Sequence, residues 1–188
     1  MSKEREEFIN KYANDVINAT AGTGILPSVT MAQFIIESSN NKGETGKGIT
    51  MLKANNGFGI KADKNYKGEK MAFNTPKDGK PVSYFRVYKN VIDSIKDHTN
   101  FLVKNKRYAN AGLFKARTPE EQTAALQKAG YSESPTYNLA LNKLISAYNL
   151  KKLDNQQPTK TSNKTETNTG LFLLAGLILG TIYFYNNE

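Results

Sequence analysis

Glu37 is the residue of this chain whose setting invites chemistry. In PSVTMAQFIIESSNNKG, residues 27–43, it stands directly behind the apolar positions Met31, Phe34 and Ile35 and in front of a polar, glycine-containing loop. A carboxylate in the last turn of a helix faces the negative end of the helix dipole, and apolar neighbours penalise its charged form. Both effects push its pKa upward. The result is an acid kept partly protonated near neutral pH that can pass its proton to a leaving oxygen, as glycosidic-bond cleavage requires. A glutamate near a helix end is equally often a solvated surface charge, so the position alone admits a general acid without establishing one.

Other chemistries are poorly supplied. The chain has no cysteine and one histidine, His98, which excludes disulfides, thiolate ligands and a multi-histidine metal site, and no metal or cofactor is expected. His98 falls on the apolar stripe Val91, Ile95, His98, Leu102 of an expected helix, where a structural ring, packed or half-exposed, is the natural reading and the base of a serine or cysteine nucleophile is not. The formal charge of +9 points to an anionic partner: nucleic acid, anionic lipid or bacterial cell-wall polymer. The lysines are scattered, without a basic zipper, paired zinc ligands or an aromatic RNA-binding signature, so no specific nucleic acid is expected and only non-specific binding stays open.

Several elements must position Glu37. Phe8, Ile9, Tyr12, Val16 and Ala19 recur at helical spacing through the first 20 residues, which predicts an amphipathic helix rather than a secretory signal. After TAGTGILP, Ser28 is expected to cap a second helix running to about Ser38. Between Asn55 and Tyr88 the pattern becomes extended: NNGFGIK, then KMAFNT and VSYFRVY flanking the turn-like PKDGKP, a β-hairpin. Three helices follow: Val91 to about Asn105; one opened by a Thr118, Pro119, Glu121 capping box and closed at Gly130; and one expected to start with Ser134 as cap and Pro135 in first position. A small hairpin among helices is an α+β domain, ending near Leu153. Residues 154–169 read as a flexible polar linker. Gly170 to Tyr185 carries no charge and is expected to be a transmembrane helix anchoring the chain in a lipid bilayer, although it is slightly short for one. Gly176 and Gly180 give it a GxxxG spacing through which two copies could pair as a homodimer.

The segment around Glu37 resembles the acid-bearing stretch of the endo-β-N-acetylglucosaminidases of glycoside hydrolase family 73, the group of flagellar peptidoglycan hydrolases and many autolysins. The resemblance continues in order through NNGFGIKADKNYKGE, YFRVYKNVIDSIKDHTNFL, RYANAG and AGYSESPTYNLALNKLISAYNL, and covers roughly Phe8 to Leu153. It implies a lysozyme-like fold, a mainly helical lobe and a small β-hairpin lobe with a glycan cleft between them, and hydrolysis of peptidoglycan after N-acetylglucosamine. Glu37 matches the proton donor. Phe58 and Gly59 match the NLFGIK-like segment, with Gly57 where many members have leucine; Tyr131 and Tyr137 match the tyrosines of the AGYATDPxY-like motif. These aromatics are expected either to line sugar subsites or to pack in the core.

The second carboxylate departs from the pattern. Many members place a glutamate in a T-x-E arrangement on the hairpin, where this chain reads Thr75, Pro76, Lys77. Asp78 is the nearest substitute and Glu69 the next, although Asp78 also suits the turn for its backbone bonding. The substrate's own N-acetyl group is the remaining nucleophile. The alternatives to a hydrolase are an inactive peptidoglycan-binding module and a non-specific nucleic-acid binder. As for location, Lys151, Lys152, Lys160 and Lys164 precede the apolar run and only Asn186, Asn187 and Glu188 follow it. Positive flanks stay cytoplasmic, which in a cell would turn the domain away from the wall. The pattern suits a membrane that meets the wall from outside, such as the internal membrane of a bacteriophage virion; a cellular autolysin of the bacterial envelope is the alternative.

Overall fold

A computed structural model describes residues 2–73 and 82–159. Helix α1, Lys3–Thr20, turns Phe8, Ile9, Tyr12, Val16 and Ile17 inward, the stripe that its 3.6-residue period dictates. Helix α2, Pro27–Glu37, is buried over Ser28 to Ile35. It lies at the centre of the fold, against α1, against α7 (Tyr137–Ala147) and against a 3-10 turn at Leu150–Asn155.

The short α3, Ile49–Ala54, ends on Asn55, whose left-handed backbone (φ 50°) turns the chain into the extended segment. Strands β1, Lys70–Ala72, and β2, Tyr84–Arg86, then pair antiparallel with Met71 opposite Phe85, as the alternation predicts, though over three residues each. An isolated bridge from Lys61 to Phe85 ties the preceding loop to the same strand. Helices α4, Val91–Lys104, α5, Lys106–Ala111, and α6, Pro119–Lys128, complete the domain with α7. The pattern of apolar residues predicts neither α3 nor α5.

The expected capping box of α6 forms: the Thr118 hydroxyl accepts from Glu121 N at 3.2 Å and the Glu121 carboxylate accepts from Thr118 N. Gly130 follows the helix at φ +67°, the left-handed C-terminal position that glycine suits. Two other expected caps are corrected. Pro27, not Ser28, begins α2. Ser28 lies inside the first turn, its N–H donating to Asp154 Oδ1 at 2.8 Å and its hydroxyl to Oδ2 at 2.7 Å. Helix α7 begins at Tyr137 rather than at Pro135, because Ser134 is spent in a turn: its carbonyl accepts from Tyr137 N and from Gln127 Nε2. Gln127 Oε1 in turn accepts the free N–H of Asn138 at 3.2 Å. Both helix starts are thus capped by side chains distant in sequence, which supply the acceptors that first-turn N–H groups lack. Asp154, assigned by sequence to the linker, holds the start of the central helix.

The hairpin turn with Asp78 and the apolar run with Gly176 and Gly180 lie outside the described residues. Among the described residues no helix is long and apolar enough to cross a membrane.

Candidate active site

Glu37 is the last residue of α2, and the chain behind it is fastened. The Ser39 hydroxyl donates to Ile35 O at 2.6 Å, Gly48 N donates to Ser38 O at 2.7 Å, and Arg5 reaches Thr45 and the Gly43 carbonyl. The side chain is half-buried. Its Oε1 accepts a 2.7 Å hydrogen bond from the Tyr137 hydroxyl, whose oxygen accepts from Gln33 Nε2 at 3.3 Å. Burial pushes the Glu37 carboxyl above its ordinary value, and the Tyr137 bond, which favours the charged form, opposes that rise in part. The direction is the one expected of a proton donor.

The carboxyl opens into a cleft of about 460 Å³ lined by Phe58, Gly59, Tyr131, Tyr108, Phe101 and, on the strand side, Lys61, Asp63 and Arg86. An aromatic column runs through its floor. Phe34 stacks on Phe58 (4.9 Å, 16°), Phe58 on His98 (3.9 Å, 12°), and Tyr131 on Tyr137 (5.5 Å, 16°), while His98 meets the Tyr131 ring edge-on. The column joins α2, the NNGFG loop, α4 and the segment between α6 and α7, so Glu37 and the tyrosines are held by one packed unit. His98 is fully buried, and burial drives its pKa down to about 3.

Of the residues matched by resemblance, Phe58, Gly59 and Tyr131 line the cleft with Glu37. Phe58 is only 4% exposed and does core packing at the same time. Tyr137 is buried behind Glu37 and touches the carboxylate rather than the open cleft. Gly57 is required by this packing, since a Cβ there would lie 2.2 Å from Phe34 Cε2. Glu69 is exposed; its carbonyl accepts from Val87 N, and its side chain does not line the cleft.

Three further residues escape sequence reasoning. Asp63 is the other carboxylate lining the cleft among the described residues. It belongs to the loop tied to the strands, with Arg86 Nη2 at 3.5 Å and Asn65 N donating to Oδ1 at 2.7 Å. Arg86 is committed more closely to Asp97, at 2.8 Å, which also accepts from the Tyr88 hydroxyl at 2.6 Å. Buried Asn56 ties loop and strand together in the strand-side wall: its Nδ2 donates to Ile60 O and Arg86 O, both at 2.9 Å, and its Oδ1 accepts from Ile60 N at 3.0 Å. The signal for Asn56 is present in the paired asparagines of NNGFGIK; nothing local marks Asp63 as a residue of the cleft. Among the described residues no group of acidic or histidine side chains could hold a metal ion.

The glucosaminidase family model, described as mannosyl-glycoprotein endo-beta-N-acetylglucosaminidase, matches residues 13–150. The chain is 30% identical over 178 residues to the exo-glucosaminidase LytG of Bacillus subtilis, a match covering 86% of this chain and 60% of that protein. It is 33% identical over 142 residues to the peptidoglycan hydrolase FlgJ of Vibrio parahaemolyticus, covering 70% and 44%. The chain therefore spans 60% or less of the length of these relatives. Among solved structures, the catalytic domain of the autolysin Auto from Listeria monocytogenes superposes with a TM-score of 0.66 at 28% identity, covering 82% of this chain and 89% of that one. The glycoside hydrolase domain of Salmonella typhimurium FlgJ gives 0.59 at 27% identity, covering 79% and 89%. The mainly helical domain with its two-stranded sheet is lysozyme-like, and the chain belongs to the glucosaminidase family, glycoside hydrolase family 73.

Proposed function

We propose that this chain hydrolyses the glycan strands of peptidoglycan after N-acetylglucosamine, with Glu37 as the general acid. One observation carries the reading: in a family of glucosaminidases, the matched acid stands half-buried at the wall of an aromatic-lined cleft with its proton affinity raised. Glu37 gives its proton to the glycosidic oxygen as the C1–O bond breaks, so the leaving sugar departs as an alcohol. Positive charge develops at C1 and the ring oxygen. Tyr137 is a positioning residue, fixing one carboxyl oxygen so that the other faces the cleft. The faces of Tyr131 and Phe101 suit the apolar faces of pyranose rings.

For the second role, Asp63 is the other carboxylate of the cleft among the described residues, suited to steady the charge at C1 or to take a proton from attacking water. Asp78 of the hairpin turn is the sequence's candidate, with the substrate N-acetyl oxygen as the route that needs neither. The names of LytG and FlgJ, an exo-glucosaminidase and a peptidoglycan hydrolase, support the substrate class. Membrane attachment through residues 170–185 and, from the lysines ahead of them, a place in a virion membrane or a cell envelope are supported by sequence alone.

Digestion of purified peptidoglycan tests the enzyme. New reducing ends on N-acetylglucosamine with the wild type, and none with Glu37→Gln despite retained wall sedimentation, are expected. Reducing ends on muramic acid would refute the bond assignment, and wall binding without cleavage by the wild type would make the chain a binding module. Fractionation tests the location: association with lipid-containing particles should be lost on deletion of residues 170–188.

A further inference from the structure

We infer that the cleft continues into a cationic arm that receives the stem-peptide carboxylates of the glycan strand. This rests on the peptidoglycan reading above and goes beyond it by naming what selects the strand. A second cavity, of about 620 Å³, shares Arg86 and Phe101 with the cleft of Glu37, so the two form one trough along α4. Their linings differ in chemistry. The Glu37 end presents aromatic faces, as a sugar requires. The far end presents Asn100, Asn105, Lys104 and Lys106 beyond the shared Phe101.

The charge of the arm is net positive. Its one carboxylate, Asp97, is taken by Arg86 at 2.8 Å and by the Tyr88 hydroxyl. Lys104 and Lys106 are exposed, and among the described residues neither forms an ion pair. Lys104 has a structural reason to be where it is, in the last turn of α4, where a cation suits the helix end. Lys106 has none. The backbone sugars of a glycan strand are uncharged, so a trough whose far end gathers cations beside amide side chains is matched to what the strand carries: carboxylates and peptide groups on alternate sugars. Arg107, lining the Glu37 end beside Tyr108, extends the positive edge toward the acid.

Equilibrium binding to the full-length Glu37→Gln chain tests this, because binding is read whether or not the chain turns strands over. The probes are peptidoglycan tetrasaccharides bearing stem peptides, the same tetrasaccharides after amidase treatment, which removes the peptide carboxylates and frees the lactyl carboxylates that had carried the peptides in amide linkage, and uncharged chitotetraose. Peptide-bearing fragments should bind best, with a preference that shrinks as salt is added. Adding Lys104→Gln and Lys106→Gln should cut the ratio of peptide-bearing to stripped affinity by about threefold to tenfold, the scale of two exposed charge contacts. An unchanged ratio would overturn the inference. So would displacement of peptide-bearing fragments by poly(glycerol phosphate) at equal charge concentration, which would assign the arm to wall phosphate instead. Failure to hydrolyse strands, measured separately with the wild-type chain, would refute the enzymatic reading and leave this result standing.

Discussion

Replacing Tyr137 with phenylalanine separates a positioning role from a packing role. The substitution keeps the ring that stacks on Tyr131 at 5.5 Å and removes the hydroxyl that donates to Glu37 at 2.7 Å. That bond favours the charged carboxylate, so its loss raises the Glu37 pKa further above its ordinary value. A general acid works while protonated, so the alkaline limb of the pH–rate profile must move to higher pH. A hydrogen bond to a charged acceptor contributes about 1.5–3 kcal/mol when buried. Glu37 opens onto the cleft and water can take part of that role, leaving about 1 kcal/mol and a displacement of roughly half to one pH unit. The loss of orientation should lower kcat at the optimum by roughly tenfold, the factor that corresponds to about 1.4 kcal/mol. The Gln33 amide also loses its acceptor. Its Oε1 is already without a partner among the described residues, and a buried orphaned donor costs about 1–3 kcal/mol. For a domain of this size that is a fall in Tm of roughly 2–10 °C. The assay is kcat/KM against pH on soluble glycan fragments, with thermal unfolding alongside. An alkaline limb that stays fixed or moves down, with Tm unchanged, would show that the hydroxyl does not hold Glu37, and would refute the reasoning.

The remaining predictions follow from the same packing. Glu37→Gln should raise Tm at pH 7 and change it little at pH 4: burial raises the folded-state pKa, so the folded state pays to ionise the acid only as pH climbs through that value, while near pH 4 both states are largely protonated. An equal change at both pH values would argue against the raised pKa. Gly57→Ala should destabilise by about 1–3 kcal/mol, because the new Cβ meets Phe34 at 2.2 Å and that ring is hemmed by Phe8, Tyr12 and Phe58; a wild-type denaturation midpoint would count against it. His98→Phe should flatten the acid loss of stability. The histidine's folded pKa is depressed from 6.5 to about 3, so stability present above pH 6.5 is lost as pH falls toward about 3, at up to about 1.4 kcal/mol per unit. Parallel pH–stability curves for the two proteins would refute this.

What could be read in the sequence was what local physics decides. The inward stripe of α1, the Thr118–Glu121 capping box, the buried ring of His98 and the placing of Glu37 at a helix end each depend on residues within a few positions of one another. The misread helix starts show the limit. Ser28 looked like a cap, yet the acceptor for the first turn of α2 is Asp154, 126 residues away. Likewise Gln127 of α6 takes over for α7, releasing Ser134 and Pro135 into a turn. Asp63 escapes local reading for the same reason: it stands in the polar stretch KADKNYKG, and pairing distant in sequence, Lys61 with Phe85 and Ala62 N with Tyr84 O, brings that stretch to the cleft.

The two walls of the cleft are held by unequal means, and proton transfer explains why that suffices. A general acid must bring its oxygen within about 2.6–3.2 Å of the oxygen it protonates, so the wall bearing Glu37 tolerates little displacement. That wall is the end of a helix buried along its length, clamped at its start by Asp154 and Gln122 and at its end by the Ser39 and Gly48 bonds. The facing wall is a sheet of three paired residues, too small to be stable by itself. It keeps its place because Asn56, buried at its base, binds both the loop at Ile60 and the strand at Arg86. Asn56 thus ties loop and strand to each other, together with the backbone bonds from Ala62 N to Tyr84 O and from Arg86 N to Ile60 O, while α2 is anchored independently of it. The anchoring of Glu37 by α2 therefore does not depend on the strand-side wall.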